Sequence, residues 1–376
     1  MKKLIAAVCA LSLALTASGC SGGSIYSNYR DIAELLVIQT LGFDLSDAGV
    51  RLSVSAEGSS GAGKDNENKT PVRLSVDAHS MTEAQDALQN YSGGLQLFFG
   101  HTAYFVLGES VLTTDTAQFF DCIERDAAFR LCIPVFAASS GSAGELIMGA
   151  GGDKHDATKL MHAVTENLRL RGDAHIFTAA EIVSALDSNG SALICAVKSA
   201  PASDAAPDAG GGEMTIVPDG YTIIYKNKAA GHIPPELARG VSLILNKVGS
   251  MPVAVGDATL QIDRSSCKIK PVFGDGLEGV SFDIEIGAAL AEARGDFDPD
   301  ELRRGLEVMA QGWVEDVLAL QKSSGCDFLH LGSVLEMQHP YRLRGAAGNF
   351  SLIAPGLDFT VRVTADLDRS FHLDLF

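Results

Sequence analysis

The chain has 376 residues, of which 46% are hydrophobic and 20% charged, and its formal net charge is −18. This composition excludes a collagen-like or low-complexity chain and predicts a globular protein of two or three domains, at about 100 to 200 residues per domain. The excess of 47 acidic over 29 basic residues repels phosphate, which argues against nucleic acid and anionic headgroups as general partners. One tryptophan and 7% aromatic residues disfavour stacking platforms for carbohydrate or single-stranded nucleic acid.

The N-terminal segment has the pattern of a secretory signal. Two lysines follow Met1, residues 4–15 form an apolar run, and residues 17–19 are small. This arrangement predicts a cleaved signal peptide over residues 1–19. The apolar run is shorter than the ~20 residues that a membrane-spanning helix needs.

Cys20 stands directly after Ala-Ser-Gly, which is the pattern of a bacterial lipobox. In that chemistry the Cys20 thiol receives a diacylglyceryl group, and cleavage leaves Cys20 as the new N-terminus. Loss of Lys2 and Lys3 leaves 27 of the 29 basic residues against 47 acidic ones, a net charge of −20. An acidic body needs lipid to attach to a membrane, and two acyl chains attach stably where one does not. We predict lipidation at Cys20 and a lipidated tether over residues 20–28.

Five further cysteines remain in the predicted mature chain. They show no C-x-x-C spacing, and an odd number cannot form a complete disulfide framework. The sequence favours buried, small hydrophobic side chains for most of them and leaves their pairing open. These residues are Cys122, Cys132, Cys195, Cys267 and Cys326. No later stretch reaches 18 apolar residues, so none is predicted to cross a membrane.

Residues 29–150 are predicted to form an N-terminal α/β domain. The strands have alternating or short apolar patterns, and capping residues and glycines mark the helix ends. Strands are predicted over residues 33–43, 50–56, 72–78, 101–107 and 133–138, and helices over 83–91, 116–127 and 143–148.

Residues 151–212 are predicted to form a middle domain of helices and one strand. The helices cover residues 158–170 and 178–186, and the strand covers 192–197. Residues 199–212 are rich in Ala, Pro, Asp, Ser and Gly, a composition typical of a flexible linker.

Residues 213–376 are predicted to form a C-terminal α+β domain. A strand over 221–225 and a helix over 235–246 precede a hairpin over 258–272 and a strand over 280–286. Asp298 followed by Pro299 predicts the start of a helix that ends near residue 322. A helix over 326–337 and strands over 357–367 and 371–375 follow. The predicted fold class is α+β, with three domains that each hold a mixed or antiparallel sheet flanked by helices.

Two motifs suggest ligand sites but fit local structure better. Residues 274–279 match G-x-G-x-x-G, yet the next segment is a predicted strand, whereas a phosphate loop must open a helix. We predict a hairpin turn there. Asp296, Asp298, Asp300 and Glu307 have the spacing of calcium ligands, but Glu301 stands where the loop needs glycine. We predict helix capping instead.

Catalytic and metal-binding patterns are weak in this sequence. His155 and His162 would share one face of a helix, and His175 follows, but no Cys or acidic residue recurs beside them with ligand spacing. The sequence has no G-x-S-x-G motif. We therefore predict no catalytic, cofactor-binding or metal-binding residue and no enzymatic activity.

Four segments form a series along the predicted mature chain. Residues 29–44 end in Leu-Gly-Phe-Asp, and residues 82–108 contain Phe-Gly-His before a strand. Residues 221–240 end in Glu-Leu-Ala-Arg-Gly, and residues 326–332 read Cys-Asp-Phe-Leu-His-Leu-Gly. In these segments and in their order across nearly the whole predicted mature chain, the sequence resembles the Ger(x)C family, the C-subunit lipoproteins of GerA-type spore germinant receptors. The chain departs from the family where Ser21 to Gly23 replaces its usual Trp-Asp.

The resemblance implies a three-domain lipoprotein of the spore inner membrane. It also implies that the chain acts together with integral-membrane A and B subunits, in a receptor through which small nutrients trigger germination. The resemblance assigns no ligand-binding residue to this chain. A solute-binding lipoprotein of an uptake system shares the predicted anchor, acidity and size, and it is the alternative. An extracytoplasmic enzyme ranks third.

Overall fold

A computed structural model describes residues 32–56, 71–149, 157–202, 214–294 and 297–368. The predicted signal peptide over 1–19, the tether over 20–28 and the strand over 371–375 lie outside these residues. The same holds for residues 203–212 of the predicted linker.

The larger sheet has nine strands in the described residues, in the order β3-β2-β1-β5-β6-β7-β8-β9, and β4 pairs with β1. Its four central strands, β1, β5, β6 and β7, run parallel to one another. Antiparallel hairpins flank them on both sides. The strands are β1 (Leu35–Ser46), β2 (Gly49–Ala56), β3 (Val72–Ala78), β4 (Gln96–Phe98), β5 (Tyr104–Leu107), β6 (Val135–Ala138), β7 (Ser191–Pro201), β8 (Met214–Tyr225) and β9 (Lys228–Ile233).

The smaller sheet has four strands in the order β10-β11-β12-β13. Its first three strands are antiparallel neighbours, and β13 runs parallel to β12. The strands are β10 (Met251–Val255), β11 (Ala258–Phe273), β12 (Leu277–Ala293) and β13 (Asp358–Asp368).

Helices connect the parallel strands and cover the sheets. Those of the described residues are α1 (Met81–Gln89), α2 (Glu109–Thr114), α3 (Ala117–Arg125), α4 (Ala143–Gly149), α5 (Ala157–Arg171), α6 (Ala179–Asn189), α7 (Pro235–Ile244), α8 (Pro299–Ser323), α9 (Leu331–Gln338) and α10 (Ala346–Ile353). Single 3₁₀ turns cover Ile32–Glu34 and Ala354–Gly356.

Two hydrophobic cores lie on opposite faces of the larger sheet. One face packs against α1, α2, α3 and α6. The other packs against α4, α5 and α7, and this core continues through α8 into the smaller sheet. Because helices cover both faces, every residue of β5 and β6 is buried, as expected for central parallel strands. The shared core joins the two sheets.

The predicted fold class is confirmed, since mixed sheets flanked by helices build the chain. Strands on both sides of the predicted boundaries after residues 150 and 212 belong to the larger sheet, because β7 pairs with β6 and with β8. The described strands thus form two sheets, and the division into three domains stays a prediction. Residues 199–201 of the predicted linker belong to β7, where they pair with residues 214–216.

Two local predictions were wrong. The predicted hairpin over residues 258–272 is one strand, because β11 crosses register shifts near Arg264 and continues along β12. The predicted helix over 326–337 begins only at Leu331, because Asp327 accepts hydrogen bonds from the first N–H groups of α9.

Candidate functional site

The first family-like segment ends at a buried carboxylate. Asp44 lies near the end of β1 and is 2% exposed. Its oxygens accept hydrogen bonds from the backbone N–H of Ala143 and of Gly144, each at 2.9 Å. These groups belong to the first turn of α4, where a carboxylate complements the helix dipole. Burial raises the pKa of the Asp44 carboxyl above its ordinary value, and the two backbone hydrogen bonds act in the opposite direction.

Two glycines leave the room that the contact between β1 and α4 around Asp44, the Asp44 junction, requires. A Cβ at Gly42 would lie 2.6 Å from Cδ1 of Ile147 in α4. A Cβ at Gly108, the last residue of the second family-like segment, would overlap the Asp44 carboxylate. The Gly108 N–H donates to the carbonyl oxygen of Phe43 at 3.0 Å. The first two segments therefore meet around Asp44, which the sequence alone did not reveal.

The third segment packs α7 against α8. Arg239 Nε donates to Asp173 Oδ1 at 3.2 Å, and the guanidinium lies 5.6 Å from the centroid of the Trp313 ring. A Cβ at Gly240 would overlap the carbonyl oxygen of Trp313. The Arg-Gly pair of this segment therefore fixes a close helix contact and an ion pair to the loop after α5.

The fourth segment contains the second buried carboxylate, Asp327, which is 3% exposed. Oδ1 accepts from the Leu331 N–H at 2.9 Å and from Gln321 Nε2 at 2.8 Å, and Oδ2 accepts from the Gly332 N–H at 2.8 Å. Burial raises the pKa of Asp327 to about 6. A Cβ at Gly332 would lie 2.5 Å from the Ala346 carbonyl oxygen, so glycine lets α9 approach α10.

The loop around Asp327 also joins the two sheets. Asn189 Nδ2, at the end of α6, donates to the Asp327 carbonyl oxygen at 2.9 Å. Ser188 Oγ lies 3.4 Å from His330 Nδ1. Burial lowers the pKa of His330 below its ordinary value. The four family-like segments thus build helix junctions and contacts between the sheets.

A cleft of about 480 Å³ lies between the end of α5, the start of α6 and the loop after α7. Arg169, Lys247 and His175 line it, together with Glu181. Burial, with Lys247 nearby, lowers the pKa of His175. The Glu181 carboxylate already accepts the Thr178 N–H at the start of α6. The Thr178 hydroxyl also donates to the Glu181 carboxylate, at 2.8 Å, so this carboxylate serves as part of the helix cap.

The structure agrees with the two predictions made in place of ligand sites, a hairpin turn and a helix cap. Residues 274–276 turn between antiparallel β11 and β12, as the hairpin reading of the glycine motif predicted. Asp298 Oδ1 accepts the Asp300 N–H at the start of α8, as the capping reading predicted; Asp296 lies outside the described residues.

The predicted histidine set is only partly described. His155 lies outside the described residues. Within α5, His162 Nδ1 lies 3.2 Å from the Tyr104 hydroxyl, and His175 lies in the cleft. Among the residues that the structure describes, no group of three or more His, Cys, Asp or Glu side chains could hold a metal ion.

The five described cysteines are free thiols. Burial raises the pKa of Cys195 and of Cys267 to about 12, and it raises the pKa of Cys122 and of Cys326 above the ordinary value. Such thiols are poor nucleophiles at neutral pH. Cys20, the predicted lipidation site, lies outside the described residues. Within those residues, no helix is long and apolar enough to span a bilayer.

Comparisons with known proteins agree with the resemblance. Residues 28–199 match the family model for the spore germination protein N-terminal domain, and residues 219–370 match the model described as spore germination B3/GerAC like, C-terminal. The fold is similar to the crystal structure of the GerBC protein at 18% identity, with a TM-score of 0.52, covering 87% of this chain and 96% of that chain. A comparison with curated proteins gave no match. Since the two models cover most of the chain, it belongs to the GerAC family of spore germination proteins.

Proposed function

We propose that this chain is a lipid-anchored, non-enzymatic subunit of a nutrient germinant receptor that triggers spore germination. It acts through contacts with integral-membrane A and B subunits on the outer face of the spore inner membrane. The observation that carries the proposal is the pair of family matches over residues 28–199 and 219–370. The segment around Cys20 supports the anchor, because its charge, apolar run and small residues precede a cysteine.

The architecture of the described residues supports a role in protein contact. Residues of the segments that resemble the family form helix caps, close glycine contacts and an ion pair within the chain. The α9–α10 pair and its connection expose apolar side chains that a protein interface would bury. These are Met337, Tyr341, Leu352 and Ile353. A lipid anchor raises the local concentration of such a surface near membrane partners, so a modest interface suffices.

Replacement of the lipidation site tests the anchor. A Cys20→Ala chain should incorporate no palmitate label and should lose the germination response to nutrient. Cys9→Ala is the matched control, since it changes a cysteine inside the same signal but leaves the lipobox cysteine. The Cys9→Ala chain should still incorporate the palmitate label, remain in the membrane fraction and respond to nutrient.

A second chain separates anchoring from signal processing. Residues 1–20 are replaced by a secretory signal that is cleaved without lipidation. This chain should move to the soluble fraction and fail to support germination. Retention of this chain in the membrane, or a normal germination response from it, would contradict the proposed anchor.

Ligand screening separates the proposal from a solute-binding lipoprotein. A ligand at 100 times its dissociation constant adds ~2.7 kcal/mol to the free energy of unfolding. We expect no such shift of the thermal midpoint with single amino acids or sugars. A clear shift with one solute would favour the solute-binding alternative.

A further inference from the structure

Residues 87–108 form the longest run without Lys, Arg, Asp or Glu after the predicted tether. The chain as a whole is 20% charged, so a run of this length is unusual in it. The run includes the end of α1, the loop after it, β4 and β5. It exposes Tyr91 at 65% and Phe98 at 37% of their surface. An uncharged region with exposed aromatic side chains is typical of a binding surface.

The side chain of Gln89 holds the loop between α1 and β4. Its Nε2 donates to the carbonyl oxygen of Leu95 at 2.6 Å, and its Oε1 accepts the Leu97 N–H at 2.9 Å. Ser92 is buried, and its hydroxyl donates to the carbonyl oxygens of Gln89 and Leu95. These polar groups therefore have partners within the loop, as entry into a region of low polarity requires, while Tyr91 stays exposed.

The Phe-Gly-His motif of the second family-like segment divides between core and surface. Phe99 packs against Phe129, with ring centroids 5.9 Å apart. Phe98 and His101 are exposed, and their ring centroids lie 5.5 Å apart. A Cβ at Gly100 would lie 2.7 Å from Cζ of Phe98, so glycine lets this ring fold over the turn. The motif thus places two rings on the surface.

The described chain begins beside this surface. Ile32, its first residue, is 80% exposed. The 3₁₀ turn that it begins leads into β1, whose first residue, Leu35, pairs with Gln96 of β4. The chain from Cys20 to Ile32 can span at most about 40 Å, at ~3.5 Å per residue. The other end of β1, at Ser46, lies about 36 Å from Leu35, at ~3.3 Å per residue. A lipid on Cys20 therefore attaches the β4 end of the larger sheet to the bilayer.

We propose that this β4 surface, which comprises Ile32, Tyr91, Phe98 and His101, rests in the headgroup region of the bilayer that holds the anchor. The inference rests on the proposed lipidation of Cys20. Amphipathic aromatic rings concentrate at the headgroup level of a bilayer. Anionic headgroups repel the acidic body, so the uncharged surface is the part that approaches the lipid. Even one acyl chain binds only marginally. These side chains therefore do not hold an unanchored chain, and their role is to orient an anchored one.

Carboxylates at the border of the β4 surface set its lipid preference. Glu34 lies in the same turn as Ile32, and Asp86 lies in the last turn of α1; both are exposed. Both carboxylates repel anionic headgroups. We therefore expect the contact with phosphatidylcholine to be at least as deep as the contact with a mixture that contains phosphatidylglycerol. A basic, electrostatic membrane surface would have the opposite preference.

Fluorescence quenching by brominated lipid tests the contact. The full lipidated chain is placed in phosphatidylcholine vesicles without other proteins, and its one tryptophan, Trp313, supplies the background. Acyl-chain bromine should quench about half of the fluorescence that Tyr91→Trp adds, because an aromatic ring at the headgroup level lies next to the acyl chains. Ala48→Trp is the matched control, since Ala48 is exposed in the turn between β1 and β2, at the other end of β1 from β4. Bromine should leave its added fluorescence unchanged.

A charge within the β4 surface provides a second test. In the Tyr91→Trp chain, Phe98→Glu should remove most of the added quenching, whereas Ala48→Glu should leave it unchanged. Three results would overturn the proposal: equal quenching at positions 48 and 91, unchanged quenching after Phe98→Glu, or no added quenching at position 91 in chains that float with the vesicles. The last result would leave the surface to a protein partner or to water. Chains that fail to float with the vesicles would instead contradict the proposed anchor, and this inference with it.

Discussion

Asp44 and Asp327 are buried carboxylates that perform the same local task in different parts of the molecule. Each accepts two backbone N–H groups from the first turn of a helix. Asp44 reaches a helix that begins 99 residues later in the chain, whereas Asp327 caps a helix that begins four residues later. Asp327 also accepts the amide of Gln321. One carboxylate therefore holds distant segments together, and the other shapes a loop.

The difference indicates what each junction contributes. The Asp44 junction fastens α4 to β1 within the larger sheet. The Asp327 loop is itself held by Asn189 and adjoins Ser188, so its shape bears on how the smaller sheet meets the larger one. Loss of the Asp44 junction should therefore weaken the packing of α4 on the larger sheet. Loss of the Asp327 loop should weaken the contact between the two sheets.

The largest expected effect is removal of the Asp327 carboxylate. Asp327→Ala leaves two backbone N–H groups and the Gln321 amide without an acceptor in a buried site, at ~1–3 kcal/mol for each unsatisfied group. We expect the free energy of unfolding to fall by about 4 kcal/mol at pH 7, measured by urea denaturation.

Glu336→Ala is the matched control for that variant. Glu336 also accepts two backbone N–H groups, those of Gly345 and Ala347, but water can reach them after truncation. The loss should be much smaller than for Asp327→Ala. If both variants lost the same free energy of unfolding, burial of the unsatisfied N–H groups would not be what makes the loss of Asp327 large.

The second prediction concerns the pH dependence of stability. Because the Asp327 pKa rises from 3.8 in the unfolded chain to about 6 in the folded one, the folded chain binds the extra proton. The resulting stabilisation is complete below pH 3.8 and is lost as the pH rises through 6. The loss is on the order of 3 kcal/mol, at 1.36 kcal/mol per pKa unit.

The measurement compares the chain with its Asp327→Asn variant between pH 4 and pH 7. The difference in the free energy of unfolding should change in favour of the variant as the pH rises. Asp44→Asn should give a difference of the same sign, because burial also raises the pKa of Asp44. A difference that is flat across this range for Asp327→Asn would contradict the assignment.

The two junctions also differ in how far the sequence could predict them. The cap at Asp298 was predicted and is confirmed, because Asp-Pro before an amphipathic run is a local signal. Asp327 lies in a run that also has helical character, so the sequence placed it inside a helix instead of before one. Asp44 pairs with a helix 99 residues away, and no local pattern encodes that contact. The class of most long elements was predictable, whereas short elements such as α2 and β10 and the sheet shared across the predicted boundaries were not.

The smallest of the three effects concerns Asp44 and Gly108 together. Asp44→Ala removes the acceptor of two N–H groups, and we expect a loss of about 2 kcal/mol. Gly108→Ala drives a Cβ into the carboxylate and should cost about as much, through overpacking and a displaced acceptor. Because both act on one contact, the double variant should lose at least about 1 kcal/mol less than the sum of the single losses. Additive losses in a urea double-mutant cycle would mean that Gly108 is required for a reason other than room for Asp44.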